Sequence, residues 1–128
     1  MTAIPIRTEP DRYPAIGISQ GFVVGDVLYL SGQVGTDDAG AIVGPDFTSQ
    51  AHQVFRNLDR ALRVGGSDLA HVFKVTVFVT NVADHFEEIV ALRRHYFSEP
   101  YPADTLVEVR ALARPGLEIE IEAMATVR

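Results

Sequence analysis

The sequence has no cysteine and no tryptophan among its 128 residues. The lack of cysteine excludes disulfide bonds, thiolate catalysis and cysteine-ligated metal sites. No apolar run approaches the roughly 20 residues that a membrane-spanning helix needs, so we expect no membrane partner. The first ten residues also lack the basic start and apolar core of a signal peptide, which makes a cytoplasmic protein the expectation.

Positive charge is scarce as well. Lysine and arginine number 11 against 17 aspartates and glutamates, which gives a formal net charge of −6. A net negative field repels phosphate backbones, and therefore we expect no nucleic-acid partner.

What remains is typical of one globular domain. Hydrophobic residues make up 47% of the chain and charged residues 22%, and this length is that of a single domain over residues 1–128. Pro5, Pro10 and Pro14 interrupt the start of the chain, which predicts an irregular segment over residues 1–20.

The first half of the chain predicts a hairpin followed by a helix. Two β-rich runs, Phe22–Val24 and Val27–Leu30, flank a Gly25-Asp26 turn. Apolar residues then recur at three- and four-residue steps from Phe47 to Leu62, and Gly65-Gly66 closes this helix.

The second half predicts three strands around another helix. Val72–Thr80 is β-branched and aromatic, which favours a central strand. A helix follows over about 82–97, and two further strands are predicted near 104–112 and 117–126. We expect the apolar face of the second helix to be formed by Phe86, Ile89, Val90, Tyr96 and Phe97.

The resulting order, ββαβαββ, predicts an α+β domain with one sheet and both helices on one face of it. The other sheet face has nothing in the chain to cover its apolar residues. An uncovered apolar face of this kind predicts that the protein oligomerises.

Several stretches carry a resemblance to a known family in their order and spacing, over roughly residues 17 to 126. They are Val27–Gln33, Gly65–Val79, Tyr96-Phe97, Pro102-Ala103, Val107–Val109 and Glu118–Ala123. Together they resemble the reactive intermediate deaminase family, also called Rid or YjgF-like.

The resemblance implies a chorismate-mutase-like fold and a homotrimer whose sheets form a central β-barrel. It also implies clefts between neighbouring subunits that bind a small-molecule ligand. Active members hydrolyse enamines and imines such as 2-aminoacrylate to a 2-keto acid and ammonia, and they use no metal or organic cofactor.

Part of the family's site is retained in this chain. The resemblance assigns to Glu120 the positioning or activation of the attacking water, a task for which a carboxylate in a secluded cleft is suited. It also assigns substrate binding to groups around Ser31, Gly32 and Leu106.

Other site positions differ. In the family's imine deaminases an arginine follows the Pro-Ala pair and binds the substrate carboxylate through two parallel hydrogen bonds. Here that position is Asp104, the family's tyrosine position is Ile18, and its cleft asparagine corresponds to Val90. We therefore expect deaminase activity towards 2-imino acids to be weak or absent.

Three interpretations of Asp104 stay open: a changed substrate class, cationic or neutral; a surface or strand-start residue in a degenerate pocket; or an alignment of the arginine position that is wrong by a residue or two. If Asp104 and Glu120 face one cleft, their repulsion raises one of the two pKa values and produces an acid and a base. Arg110 and Arg114 are the candidates to replace the missing arginine. Arg110 lies roughly 20 Å along the strand from Asp104 and is interpreted as a solvated residue.

The remaining polar groups suggest no second chemistry. The four histidines have no zinc-site spacing and are expected at the surface: His52, His71, His85 and His95. The sequence thus predicts either a cofactor-independent deaminase or hydrolase of altered substrate class, or a non-catalytic metabolite-binding or regulatory trimer. Ribonuclease activity, which has been linked to the family, is disfavoured by the acidic charge.

Overall fold

Alternating apolar residues bury one face of a six-stranded sheet against two helices. The computed structural model describes residues 1–127. Its strands are β1 (Ala3–Ile6), β2 (Gly21–Val24), β3 (Val27–Val34), β4 (Val72–Val79), β5 (Ala103–Glu108) and β6 (Ile119–Thr126). The helices are α1 (Phe47–Val64) and α2 (Val82–Tyr96), and the strand order is β1-β2-β3-β6-β4-β5. β4 and β5 are parallel, and the other neighbouring strands pair antiparallel.

Local signals in the sequence set the ends of α1. The Asp46 side chain accepts a hydrogen bond of 3.0 Å from the backbone N–H of Ser49, which caps the first turn. At the other end Gly66 adopts a φ of +86°, a left-handed conformation that glycine enters without steric cost. The face between these ends is apolar and buried: Phe47, Ala51, Val54, Phe55, Leu58, Ala61 and Leu62.

The core lies between α1 and the three central strands. Alternate residues of β3, β4 and β6 point into it: Leu28, Leu30, Val75, Val77, Val79, Ile119, Ile121, Ala123 and Ala125. Their neighbours in sequence face the other side, which no helix in residues 1–127 covers; Tyr29 there is 43% exposed. The sheet thus has one buried face and one open face.

The predicted ββαβαββ order is confirmed over residues 21–126, and the N-terminal prediction needs a correction. Residues 1–20 were expected to be irregular, but Ala3–Ile6 form β1 and pair with β2 from Ala3 opposite Val24 to Ile6 opposite Gly21. β1 is an edge strand, where Pro5 is tolerated because one side of the strand needs no donor. The strand lacks a clear alternation of polar and apolar residues, and so the sequence pattern does not predict a strand there.

The apolar face predicted for α2 is also partly wrong. Phe86 is 48% exposed, whereas Leu92, which was not predicted, is buried along with Ile89. The reason is that α2 packs on α1 through His85, which stacks on Phe47 at 3.8 Å between ring centroids, and through Tyr96. This contact between the two helices leaves Phe86 facing solvent. The strand β5 also ends at Glu108, four residues before the predicted end.

One buried amide joins α1 to the loop before β6. Gln50 is 1% exposed; its Nε2 donates to the Gly116 carbonyl at 3.0 Å, and its Oε1 accepts from the Glu118 N–H at 2.6 Å. Gly35 makes this approach possible, since a Cβ there would lie 2.3 Å from Gln50 Cγ. The amide therefore fixes the point at which the chain enters β6.

Replacing Gln50 by alanine should destabilise the protein by about 2–4 kcal/mol, because two backbone groups lose their partners and a cavity forms. Gln53→Ala on the same helix is the matched control, since Gln53 bonds only to side chains of its own helix. Urea unfolding followed by circular dichroism measures both variants. Equal losses in the two variants would contradict the role given to Gln50.

Candidate active site

Glu120 lies on the open face of the sheet beside a break in the β3–β6 pairing. Leu30 pairs with Ala123 and Gln33 with Ile121, so Ser31 and Gly32 form a bulge between them. A Cβ on Gly32 would lie 2.2 Å from Glu120 Oε2. The carboxylate therefore sits directly against the backbone of the bulge, in a position that only glycine allows.

A tyrosine that the sequence interpretation overlooked completes this contact. The Tyr13 hydroxyl donates a hydrogen bond to the Gly32 carbonyl. Burial raises the pKa of Tyr13 far above its ordinary value, and the negative charge of Glu120 raises it further. The phenol consequently keeps its proton at neutral pH and remains a donor. No motif marked Tyr13, because it comes from the segment predicted to be irregular.

The environment of Glu120 favours its protonated form. Burial raises the pKa of its carboxyl group above the ordinary value, and the neighbouring Glu122 charge adds to the shift. A carboxylate with a raised pKa is a stronger base towards water. Glu120 is therefore suited to accept a proton from a water molecule in the cleft.

Hydrogen bonds between polar side chains stabilise the bulge. Gln33 Nε2 donates to Gln20 Oε1 at 2.7 Å and to the Ser31 carbonyl at 3.0 Å, and Gln20 Nε2 donates to Thr8 Oγ1 at 2.8 Å. The Ser31 hydroxyl donates to the Ser19 carbonyl at 2.6 Å. Ser31 thus holds the bulge in place through its hydroxyl group.

Four of the predicted site residues line one cleft of about 480 Å³: Ile18, Ser31, Gly32 and Glu120. Tyr13, Arg12 and Arg114 line the same cleft. Its size suits a small metabolite, and it combines an apolar wall at Ile18 with a carboxylate, a phenol and two guanidinium groups.

The other predicted residues lie elsewhere in the chain. Val90 and Asp104 line a second cleft of about 280 Å³ between α2 and β5. There Asp104 accepts two hydrogen bonds of 2.8 Å from Arg93, one from Nε and one from Nη2. Both side chains are mostly buried, at 16% and 25% exposure. Leu106 lines neither cleft and packs against the core.

Asp104 and Glu120 do not share a cleft within one chain. Asp104 pairs with Val75, whose side chain is in the core, whereas Glu120 pairs with Phe78 on the open face. The two carboxylates are thus on opposite sides of the sheet, with β4 between their strands. The raised pKa of Glu120 comes from burial and Glu122, and Asp104 takes no part in it.

Two of the histidines contact aromatic residues. His52 Nδ1 lies 2.5 Å from the Tyr96 hydroxyl, and His85 stacks on Phe47. Within residues 1–127 no three histidine, aspartate or glutamate side chains are grouped so that they could hold a metal ion. The same residues contain no helix long and apolar enough to cross a membrane.

Comparison with known proteins places these features in a family. The sequence model described as endoribonuclease L-PSP matches residues 9–127. RutC family protein y4sK of Sinorhizobium fredii is 40% identical over 122 residues, 94% of each chain. The human 2-iminobutanoate/2-iminopropanoate deaminase is 35% identical over 113 residues, which are 87% of this chain and 81% of the human one.

Solved structures agree with the sequence comparison. The yeast protein YEO7 superimposes with a TM-score of 0.91 at 31% identity, covering 99% of this chain and 100% of its own. RidA from an Antarctic Psychrobacter species gives a TM-score of 0.81 at 34% identity, covering 87% of this chain and 89% of its own. The chain therefore belongs to the endoribonuclease L-PSP family, the Rid or YjgF-like family that its motifs resemble.

Proposed function

We propose that the protein is a deaminase or hydrolase that acts on a small imine, enamine or related C–N compound in the cleft around Glu120. The observation that carries this proposal is the half-buried Glu120 carboxylate, held against Gly32 beside a phenol that keeps its proton. The name of the human relative, 2-iminobutanoate/2-iminopropanoate deaminase, points to the same class of reaction.

The proposed reaction needs only groups of this chain and water. Glu120 accepts one proton from a water molecule while the water oxygen bonds to the carbon of the C=N group. The nitrogen takes up both protons of that water, one returned by Glu120 and the other lost from the new hydroxyl group, and the C–N bond breaks as the C=O bond forms. The products are a carbonyl compound and ammonia, so no oxidant, reductant or cofactor is consumed.

We further propose that the complete site forms in a homotrimer with a central β-barrel. The open sheet face carries Tyr29, Phe78 and Met124, and Phe86 is exposed on α2. Contact between copies would cover these groups. It would also allow the cleft lined by Val90 and Asp104 in one chain to meet the Glu120 cleft of the next, with Leu106 beside them.

The substrate class follows from the pairing of Asp104. A carboxylate next to the reacting carbon would find Asp104 where the family's imine deaminases have a guanidinium, so the two parallel hydrogen bonds of that guanidinium are missing there. Arg93 neutralises Asp104 but uses its Nε and Nη2 edge to do so. We infer that the substrate differs from a simple 2-imino acid.

The second candidate function is a non-catalytic metabolite-binding or regulatory trimer. It is favoured by the apolar Ile18 in the tyrosine position and by the engagement of the Asp104 carboxylate, because both remove groups that would contact a substrate. A ligand that raises the melting temperature without being converted would support this alternative.

Replacing Glu120 by glutamine should lower kcat/KM for any imine substrate at least about 100-fold, because the general base is lost. A panel of amine-bearing, neutral and carboxylate-bearing imines, assayed by ammonia release, measures the effect. The control is Glu122→Gln on the same strand and face, which should retain most activity. Full activity in the Glu120 variant would refute the catalytic proposal. Hydrolysis by the wild type that is no faster than in buffer alone would refute it as well.

The pH dependence of kcat/KM should fall on its acidic side at a pH above the ordinary glutamate pKa of about 4.3, because protonated Glu120 cannot act as base. In Glu122→Gln this acidic limb should move to lower pH, since removal of the Glu122 charge lowers the pKa of Glu120. A limb that stays in place would show that Glu120 is not the titrating group.

Reversing the ion pair with Asp104→Arg and Arg93→Asp should raise activity on 2-iminopropanoate at least about tenfold, because a guanidinium then stands in the family's position. The control is Asp104→Asn with Arg93→Gln, which removes the pair without adding an arginine there. Wild-type activity already equal to that of the reversed pair would show that position 104 does not determine substrate class.

Light scattering at micromolar concentration should give three times the chain mass of 14.0 kDa. Tyr29→Glu on the open face should lower this mass, because a charge would be buried between sheets. Val64→Glu at a similarly exposed helix position is the control and should leave the mass unchanged. A wild-type monomer would count against both candidate functions.

A further inference from the structure

Two arginines of the Glu120 cleft converge on one residue, Gly40. Arg114 Nη1 donates to the Gly40 carbonyl at 2.8 Å. The Arg12 guanidinium lies over the same residue, since a Cβ on Gly40 would be 3.2 Å from Arg12 Nε. Both side chains line the cleft that contains Glu120. Two positive groups are therefore held close together at its edge.

No carboxylate within residues 1–127 forms an ion pair with either arginine. Two acidic groups of the neighbouring loop are already engaged: Asp38 binds Arg60 at 2.8 Å, and Asp37 accepts from the Ala39 and Ala41 N–H groups at 2.9 Å. The arginines contact backbone carbonyls instead, of Gly40 and, for Arg12, of Asp38.

Each guanidinium thus retains N–H groups that can donate to a ligand. A guanidinium carries five N–H groups, and one nitrogen of each arginine is used on a carbonyl. Like charges gathered in this way repel, and a bound anion offsets that repulsion. A carboxylate suits the planar fork of an arginine and accepts two parallel hydrogen bonds from it.

We propose that Arg12 and Arg114 form an anion site for a substrate carboxylate that is separated from the reacting carbon by the length of the cleft. The inference rests on the proposed function for its reaction and names the substrate class: a C–N compound with a distal carboxylate. Glu120 directs water at one part of the cleft, and the two arginines bind the anion at another. Residue 104 then needs no positive charge.

Calorimetric titration of the full chain with glutarate, and with neutral glutaramide, tests the site directly. Glutarate should bind and glutaramide should not. Arg12→Gln and Arg114→Gln should each weaken glutarate binding at least about tenfold. Arg110→Gln is the matched control, an exposed arginine that lines neither cleft, and should bind as the wild type does.

Unchanged glutarate binding in both arginine variants would overturn the site. Tighter binding of inorganic phosphate than of glutarate would overturn the carboxylate assignment. Melting temperatures equal to that of the wild type would show that the exposed substitutions leave the fold intact, so that a loss of binding is local.

Turnover separates this inference from the proposed function. An amine oxidase can generate 4-iminopentanoate from 4-aminopentanoate and pentan-2-imine from 2-aminopentane. The wild type should favour the carboxylate-bearing imine at least about tenfold in kcat/KM, and the two arginine variants should lose that preference. Hydrolysis of both imines at equal rates would overturn the anion site while the reaction stands. Glutarate binding through the arginines without hydrolysis would support the anion site and refute the reaction.

Discussion

The site depends on the contact between the Glu120 carboxylate and the backbone of Gly32. Any side chain at position 32 would occupy the space of the carboxylate, so the bulge in β3 and the charge on β6 require each other. The contact half-buries Glu120, and burial is the main cause of its raised pKa. It also presents the Gly32 carbonyl to Tyr13, which draws the N-terminal segment over the cleft. The contact between Glu120 and Gly32 thus sets the strand register, the pKa of Glu120 and the shape of the cleft at this point.

Periodicity in the sequence was enough to predict the elements that form the core. The apolar steps of α1 and the β-branched run of β4 gave their type and approximate ends, because burial on one side imposes those patterns. Residues without such a pattern were not predictable. β1 is a short edge strand containing a proline, and Phe86 is exposed because His85 and Tyr96 form the contact with α1.

The site was predictable only where a motif carried it. The stretch around Ser31 and Gly32 and the last strand placed Glu120 in a cleft with Ile18, as the structure does within one chain. The polar groups that complete this cleft come from two irregular segments: Arg12 and Tyr13 lie between β1 and β2, and Arg114 lies between β5 and β6. Contacts of that kind depend on tertiary packing across many residues, for which one sequence gives no signal. The partner of Asp104, which is Arg93 in the last turn of α2, was missed for the same reason.

In the proposed function, Glu120 acts on a substrate whose carboxylate lies at Arg12 and Arg114, away from residue 104. A crystal structure of the protein with glutarate tests this most directly. One carboxylate should lie within about 3.2 Å of both guanidinium groups, a usual hydrogen-bond distance, and the rest of the molecule should point towards Glu120. Glutarate bound at Arg93 beside Asp104, with the Glu120 cleft holding only water, would contradict it.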